Sequence, residues 1–203
     1  MTAESPAACA GWILAGGRSS RMGREKGLLE IAGTTLIVRA ARLVASVCSS
    51  ATIVGELQTY ARFEYPTISD DQPRLGPLGG ILTALGHAGV DWNLVIACDL
   101  PYLTPEWLRY LVNRAASSSA RVVLPESSSG LEPLCAVYHR KAASSMRAAF
   151  DRGIRKVTDA FGALPVERVT PAEIQVFDPR GVLFQNLNTL DDYERARADF
   201  ERQ

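Results

Sequence analysis

The sequence of 203 residues has only two histidines and four cysteines, and no excess charge of either sign, with 22 Lys and Arg against 22 Asp and Glu. The charge balance excludes the electrostatic signature of a nucleic-acid binder or of a protein that docks on an acidic membrane. Cys9, Cys48, Cys98 and Cys135 are widely dispersed without a C-x-x-C pair, and His87 and His139 are too few to complete a zinc site with them. The four thiols therefore read as reduced and mostly buried, which fits the cytoplasm. No apolar run approaches the roughly 20 residues that span a bilayer, and the first ten residues lack a basic n-region. The expectation is a soluble, cytoplasmic protein. Both nucleotide loops of widest occurrence, G-x-x-x-x-G-K-[ST] and G-x-G-x-x-G, are missing as well.

What is present begins at Trp12. The apolar run Trp12 to Ala15 stops at Gly16 and Gly17, and Arg18, Arg21, Arg24 and Lys26 follow within nine residues. Glycine lets a backbone adopt positive φ and approach a ligand closely. Exposed N–H groups flanked by cations are a recipe for holding a polyphosphate, and a turn with solvated arginines is the plainer alternative for the same residues.

Periodicity places buried strands at Ala10 to Ala15, Ala51 to Val54 and Asn93 to Ala97. Further strands are expected at Arg121 to Leu124, Leu134 to Tyr138, Val166 to Val169 and Val182 to Phe184. Helices are expected at Leu36 to Val47, at Leu78 to His87 after Gly76-Pro77, and after Thr104, the N-cap of a helix opened by Pro105. Two more follow at Lys141 to Asp151 and Leu190 to Glu201, the last capped by Thr189 with Asp191 and Asp192 near its positive end. Residues 125–133 read as a loop, and residues 1–9 as a flexible N-terminus. Strands apolar on both faces, alternating with helices, predict one α/β domain over 1–203 with a mostly parallel sheet covered on each side. Ligands of such sheets sit beyond the carboxyl ends of the strands, at a topological switch point. The glycine loop and Asp99 both fall at such ends.

Asp99, in Cys98-Asp99-Leu100-Pro101, is well placed for Mg²⁺, which takes one or two carboxylates plus substrate phosphate oxygens; as a bare turn former it would look the same. Cys98 beside it reads as a small buried hydrophobe. The stretch Asp70 to Ile81 is rich in glycine, which suits close backbone approach to a flat base, or merely a polar turn leading into a helix. Asn186-Leu187-Asn188-Thr189 puts two amides just ahead of the final helix. His87 and His139 have no Ser or Asp partner at recognisable spacing and read as structural. Tyr138 fits the strand pattern and reads as core.

In order along residues 11 to 200, five motifs resemble the molybdenum cofactor guanylyltransferases, a family of the MobA-like nucleotidyltransferases with a Rossmann-like three-layer fold. They are Leu14-Ala15-Gly16-Gly17 with Arg21-Met22-Gly23 and Lys26, Gly76-Pro77-Leu78-Gly79-Gly80, Cys98-Asp99-Leu100-Pro101, Glu132-Pro133-Leu134, and Asn186-Leu187-Asn188-Thr189. The resemblance implies transfer of GMP from GTP to the terminal phosphate of Mo-molybdopterin, with release of pyrophosphate. It implies that Leu14, Ala15, Gly16 and Gly17, with Leu78 and Gly79, surround guanine and ribose, and that Lys26 and Arg21 hold the triphosphate. Asp70 matches a nucleotide-contacting residue and Asp99 the magnesium ligand, with Asn188 a second contact to metal or phosphates and Asn186 nearby. Arg155 and Lys156 match basic residues on the pterin side. Gly55 stands where some relatives have Asn, and Asn188-Thr189-Leu190 where Asn-Thr-Pro is common.

The implied mechanism is in-line attack by an acceptor phosphate oxygen on the α-phosphorus, with Asp99, Lys26, Arg21 and Asn188 as the catalytic set and Mg²⁺ as cofactor. The resemblance further implies a molybdoenzyme or a chaperone as recipient of the product, and a monomer or weak oligomer. Two alternatives stay open: another nucleotidyltransferase, such as a molybdopterin cytidylyltransferase, or a non-catalytic nucleotide-binding regulator. Gly16 and Gly76-Pro77-Leu78-Gly79 favour guanine over cytosine within the resemblance.

Overall fold

A computed structural model describes residues 8–15, 25–73 and 75–202. The expectations for residues 1–7 and for Gly16, Gly17 and Arg21 lie outside the described residues. In chain order the strands are β1 Cys9–Leu14, β2 Glu30–Ile31, β3 Thr34–Thr35, β4 Ser50–Val54, β5 Thr67–Ile68, β6 Trp92–Ala97, β7 Val122–Ser127, β8 Gly130–Leu131, β9 Cys135–His139 and β10 Val166–Val169. The α-helices are α1 Leu36–Ala45, α2 Leu57–Tyr60, α3 Pro77–Gly86, α4 Pro105–Ala116, α5 Ala143–Asp151, α6 Pro171–Gln175 and α7 Leu190–Glu201.

The main sheet has the order β10-β7-β9-β6-β1-β4-β5, with β8 attached to β7. β1 pairs in parallel with both β4 and β6, β4 with β5, and β7 with β10. β9 runs antiparallel between β6 and β7. After β1 the chain builds outward through β4 and β5, then returns to place β6 on the other side of β1. The switch point is therefore the gap between β1 and β6, and both strands end there.

Alternation along each strand splits the core in two. Cys9 and Ile13 of β1, Leu94 and Ile96 of β6, and Val137 of β9 face one cluster with Ile37, Ala41 and Val44 of α1 and Trp107, Leu108 and Leu111 of α4. Trp12 and Leu14, Val95, Ala136 and Tyr138 face the other, with Leu78, Ile81 and Leu82 of α3 and Met146 and Phe150 of α5. The result is helix, sheet, helix: three layers, held chiefly by apolar burial on both faces. Gly11 brings α1 down onto β1, because a Cβ there would lie 2.0 Å from Val44 Cγ1 and 2.9 Å from the Ser50 carbonyl oxygen.

Pro at the first position opens α3, α4 and α6. Thr104 caps α4 by accepting from the Trp107 N–H at 3.3 Å, and Thr189 forms a capping box with Asp192 at the start of α7.

Several boundaries differ from expectation. Cys9 already belongs to β1 and is fully buried, so strand structure reaches into the segment expected to be flexible. α1 stops at Ala45 and not at Val47, and α5 is preceded by a 3₁₀ turn at Arg140–Ala142. The loop 125–133 is in part a hairpin: β7 runs on to Ser127 and pairs with β8. Its pairing with β9 ends at Val123, so Pro125, which has no N–H to give, costs that ladder nothing. Val182 to Phe184 is not a strand. The Asp178 carboxylate accepts the N–H groups of Val182 and Leu183 at 2.9 Å each and folds the segment into a turn with Leu183 buried.

Candidate active site

Three of the expected residues converge at the switch point. Lys26 Nζ donates to Asp99 Oδ2 at 2.8 Å and to Asn188 Oδ1 at 2.8 Å. These residues come from three distant places in the sequence, and each is fixed by its own local device.

Lys26 opens a 3₁₀ turn, Lys26–Leu28, whose Gly27 lies against the buried Tyr60. A Cβ on Gly27 would come within 2.8 Å of the Tyr60 hydroxyl oxygen, so only glycine lets the turn rest there. Burial pushes the Tyr60 hydroxyl well above its ordinary range, which keeps its proton available to donate to Glu25 Oε2 at 3.5 Å. Asp99 lies two residues past the end of β6, and the intervening Cys98 donates its N–H to the Leu14 carbonyl at 3.1 Å, locking the two strand ends together. Asn188 is positioned from both sides. The preceding Leu187, fully buried with Ile31, Leu36 and Ala196, donates its N–H to the Asp99 carbonyl at 3.0 Å, and Asp192 accepts the Asn188 N–H at 3.2 Å. Asn188 Nδ2 in turn donates to Asn186 Oδ1 at 2.8 Å, which sets the amide so that its oxygen faces the ammonium.

The side chains of Lys26 and Asp99 are 18% and 17% exposed, so the pair is shielded from bulk water yet open at the edge of the sheet. Lys26 has three N–H donors, two of them engaged here, which leaves one for a further acceptor. Cys98 is buried, and burial pushes its thiol upward, so it remains a neutral thiol and not a nucleophile. All four cysteines are free and buried, as expected.

The residues expected around a nucleotide are placed as follows. Leu14 is the last residue of β1 and Ala15 follows it, its N–H taken by the Val54 carbonyl at 2.9 Å. Leu78 is fully buried, so its side chain belongs to the core beneath α3. Gly79 packs on the preceding loop, where a Cβ would stand 3.0 Å from both Gln72 Cβ and the Gln72 carbonyl oxygen. Asp70 anchors that loop: its Oδ1 accepts the Gln72 N–H at 2.8 Å and the hydroxyl of the buried Thr83 at 3.1 Å. Gly55 faces Ala15 and Tyr60, each 3.1 Å from the position of a Cβ. Arg155 and Lys156 do not join the Lys26 cluster. The Arg155 guanidinium lies 4.1 Å over the Phe150 ring and donates to the Phe150 carbonyl at 2.6 Å, while Lys156 pairs with Asp159 at 3.5 Å.

Among the described residues, no three His, Cys, Asp or Glu side chains gather to hold a metal. Asp99 and Asn188 nevertheless converge two oxygens on one cation, here the Lys26 ammonium. That donor set suits a hard cation completed by phosphate oxygens better than a metal held by protein alone. Missing from the sequence reading was Tyr60, which carries the Lys26 turn; its only signal was an aromatic residue shortly after a strand. Also among the described residues, no helix is long and apolar enough to cross a membrane.

Residues 11–166 match the model of the MobA-like NTP transferase domain. The chain is 34% identical, over 93% of its length and 91% of the relative's, to a probable molybdenum cofactor guanylyltransferase of Pelotomaculum thermopropionicum. It is 32% identical to the molybdenum cofactor guanylyltransferase of Desulfosudis oleivorans, over 94% of this chain and 95% of the relative. Among solved structures it is similar to molybdopterin-guanine dinucleotide biosynthesis protein A of Archaeoglobus fulgidus, with a TM-score of 0.84 at 28% identity, covering 96% of this chain and all of that one.

Proposed function

The chain belongs to the MobA-like NTP transferase family, and from that premise we propose that it transfers GMP from GTP to the terminal phosphate of Mo-molybdopterin, releasing pyrophosphate. The observation that carries the reading is the meeting of Lys26, Asp99 and Asn188 at the ends of β1 and β6. The guanylyltransferase relatives, similar over nearly their whole length, supply the substrates.

The acceptor is already an anion, so the reaction needs no serine, cysteine or histidine nucleophile. A phosphate oxygen of Mo-molybdopterin forms a bond to the α-phosphorus as the bond from that phosphorus to the bridging oxygen breaks, and both electrons of the broken bond leave with pyrophosphate. What the protein must do is bring anions together and offset charge on the departing oxygen. Lys26 does the second with the N–H that Asp99 and Asn188 leave open, and does so in a site shielded from bulk water, where charge counts for more. Asp99 holds the ammonium in place, and the Asn186–Asn188 amide pair keeps the Asn188 oxygen turned toward it. Mg²⁺ held by Asp99 and Asn188 would supply Lewis-acid neutralisation of the phosphate oxygens. Leu14, Ala15, Gly16, Gly17 and Gly79 surround the nucleotide in this reading, Asp70 braces the loop beneath it, and Arg21 assists Lys26.

The test is pyrophosphate release by the purified protein with Mo-molybdopterin, Mg²⁺ and either GTP or CTP. Release with GTP and little with CTP is expected. A preference for CTP would make it a cytidylyltransferase, and no release with either nucleotide would leave a binding protein.

A further inference from the structure

Glu132-Pro133-Leu134 is the one motif of the sequence that the mechanism leaves without a task. Its backbone is pinned at several points. The Ala97 N–H donates to the Leu134 carbonyl at 2.9 Å, the Tyr138 hydroxyl to the Pro133 carbonyl at 2.6 Å, and the Glu132 N–H to the Pro125 carbonyl at 2.9 Å. Leu134 thus lies beside the last residue of β6, two residues before Asp99, and Glu132 stands further out beyond the carboxyl edge of the sheet. β9 flanks β6 on the side opposite β1. Asp99 therefore has the end of β1 to one side and Glu132 to the other.

The carboxylate itself is unusual for its place. It is half-buried, its Oε1 accepts the Ser127 hydroxyl at 2.6 Å, and among the described residues no cation pairs with it. Desolvation pushes its pKa up from the ordinary glutamate value, against the opposing pull of the Ser127 hydrogen bond. Pinning the hairpin needs only an acceptor, which a glutamine would supply without a charge to desolvate. A half-buried carboxylate met only by a hydroxyl among the described residues carries a desolvation cost, and proteins keep such costs chiefly at functional sites.

We infer that Glu132 reads the acceptor: its carboxylate takes the N–H groups along the 2-amino-4-oxopyrimidine edge of the pterin. This rests on the guanylyl-transfer reading above. Three physical points assign the partner. In-line displacement places the entering oxygen opposite the leaving pyrophosphate, so an acceptor attacking a nucleotide held at β1 and Lys26 comes from the β9 side. The pterin edge offers a ring N–H and an amino group side by side, a donor pair that matches the two oxygens of a carboxylate. The pterin ring is also neutral, so Glu132 faces it without repelling a phosphate.

Glu132→Gln and Glu132→Ala test this in steady-state transfer. The KM for Mo-molybdopterin rises by about tenfold to a hundredfold, as expected for loss of hydrogen bonds to a charged group, while the KM for GTP and kcat stay near wild type. A second readout needs no turnover. Fluorescence titration with 6-hydroxymethylpterin monophosphate and with its lumazine counterpart, in which a carbonyl replaces the amino group, shows the wild type preferring the pterin and Glu132→Gln losing that preference. An unchanged acceptor KM, a rise in the KM for GTP instead, or equal binding of both probes by wild type overturns the assignment. If the wild type releases no pyrophosphate from GTP, the underlying function falls, and the two-probe titration still decides for or against Glu132.

Discussion

Replacing Lys26 with alanine separates the catalytic reading from a structural one, because the two effects differ in size. The substitution removes two hydrogen bonds of 2.8 Å. Water replaces the ammonium at the exposed Asn188, so that loss is small. The bond to Asp99 is the one that counts, with both side chains less than a fifth exposed. A hydrogen bond to a charged group contributes about 1.5–3 kcal/mol, and at an edge that water still reaches the lower figure applies. A domain stable by about 5–15 kcal/mol stays essentially all folded after a loss of that size. Removing a group that offsets charge in the transition state costs about 2.7–4 kcal/mol, a hundredfold to a thousandfold in rate. Urea unfolding and pyrophosphate release on the same preparation measure both. The expected result is a modest fall in the urea midpoint with a rate at least a hundredfold lower, and non-additive stability effects when Lys26→Ala is combined with Asp99→Asn, since the two residues touch. A rate within threefold of wild type, or a loss that merely tracks the unfolded fraction, refutes the role given to Lys26.

Other consequences follow from packing and titration. Gly11→Val drives side-chain carbon into Val44 and the Ser50 carbonyl; it lowers stability in urea by about 1–3 kcal/mol or more, while the folded fraction keeps its rate per molecule. Glu173 is held down to about 2 by the Thr170 N–H and hydroxyl, the Tyr110 hydroxyl and Arg114. Its carboxylate therefore stabilises the fold above the ordinary carboxylate range and loses that contribution as pH falls toward 2, so the stability gap between wild type and Glu173→Gln narrows on acidification from pH 6 to pH 3. Glu132 has the opposite sign. Its raised pKa makes the folded state bind the proton more tightly, so its contribution is lost as pH rises, and Glu132→Gln gains stability over wild type at pH 7 but not at pH 4. Chemical denaturation at the two pH values checks each, and a gap that does not move with pH contradicts the assigned cause.

The three layers were readable because they rest on alternation and helical spacing, which each segment carries in itself. β1, β4 and β6 came within a residue of their observed ends, and Thr104 and Thr189 cap the helices they were expected to cap. What escaped depends on partners distant in sequence. β5 is two residues long and exists only through β4; β9 runs antiparallel because Cys135 to His139 slots between β6 and β7. The segment Val182 to Phe184 has strand-like composition, but Asp178 captures its N–H groups first. The same division holds in the site. Asp99 announces itself at the end of an apolar run. That Lys26 donates to both Asp99 and Asn188 is a fact of three chain segments meeting, and the resemblance to a family named those residues without their spacing doing so.

Single-turnover transfer from GTP labelled at the α-phosphate follows the proposed group transfer itself. The labelled phosphate is followed into a molybdopterin guanine dinucleotide by wild type, Asp99→Asn and Asn188→Ala in the presence of Mg²⁺ and Mo-molybdopterin. Label is expected in the dinucleotide with wild type, with a loss of about a hundredfold or more for Asp99→Asn. Label that stays in GTP with wild type, or that moves equally fast with Asp99→Asn, would contradict the proposed mechanism.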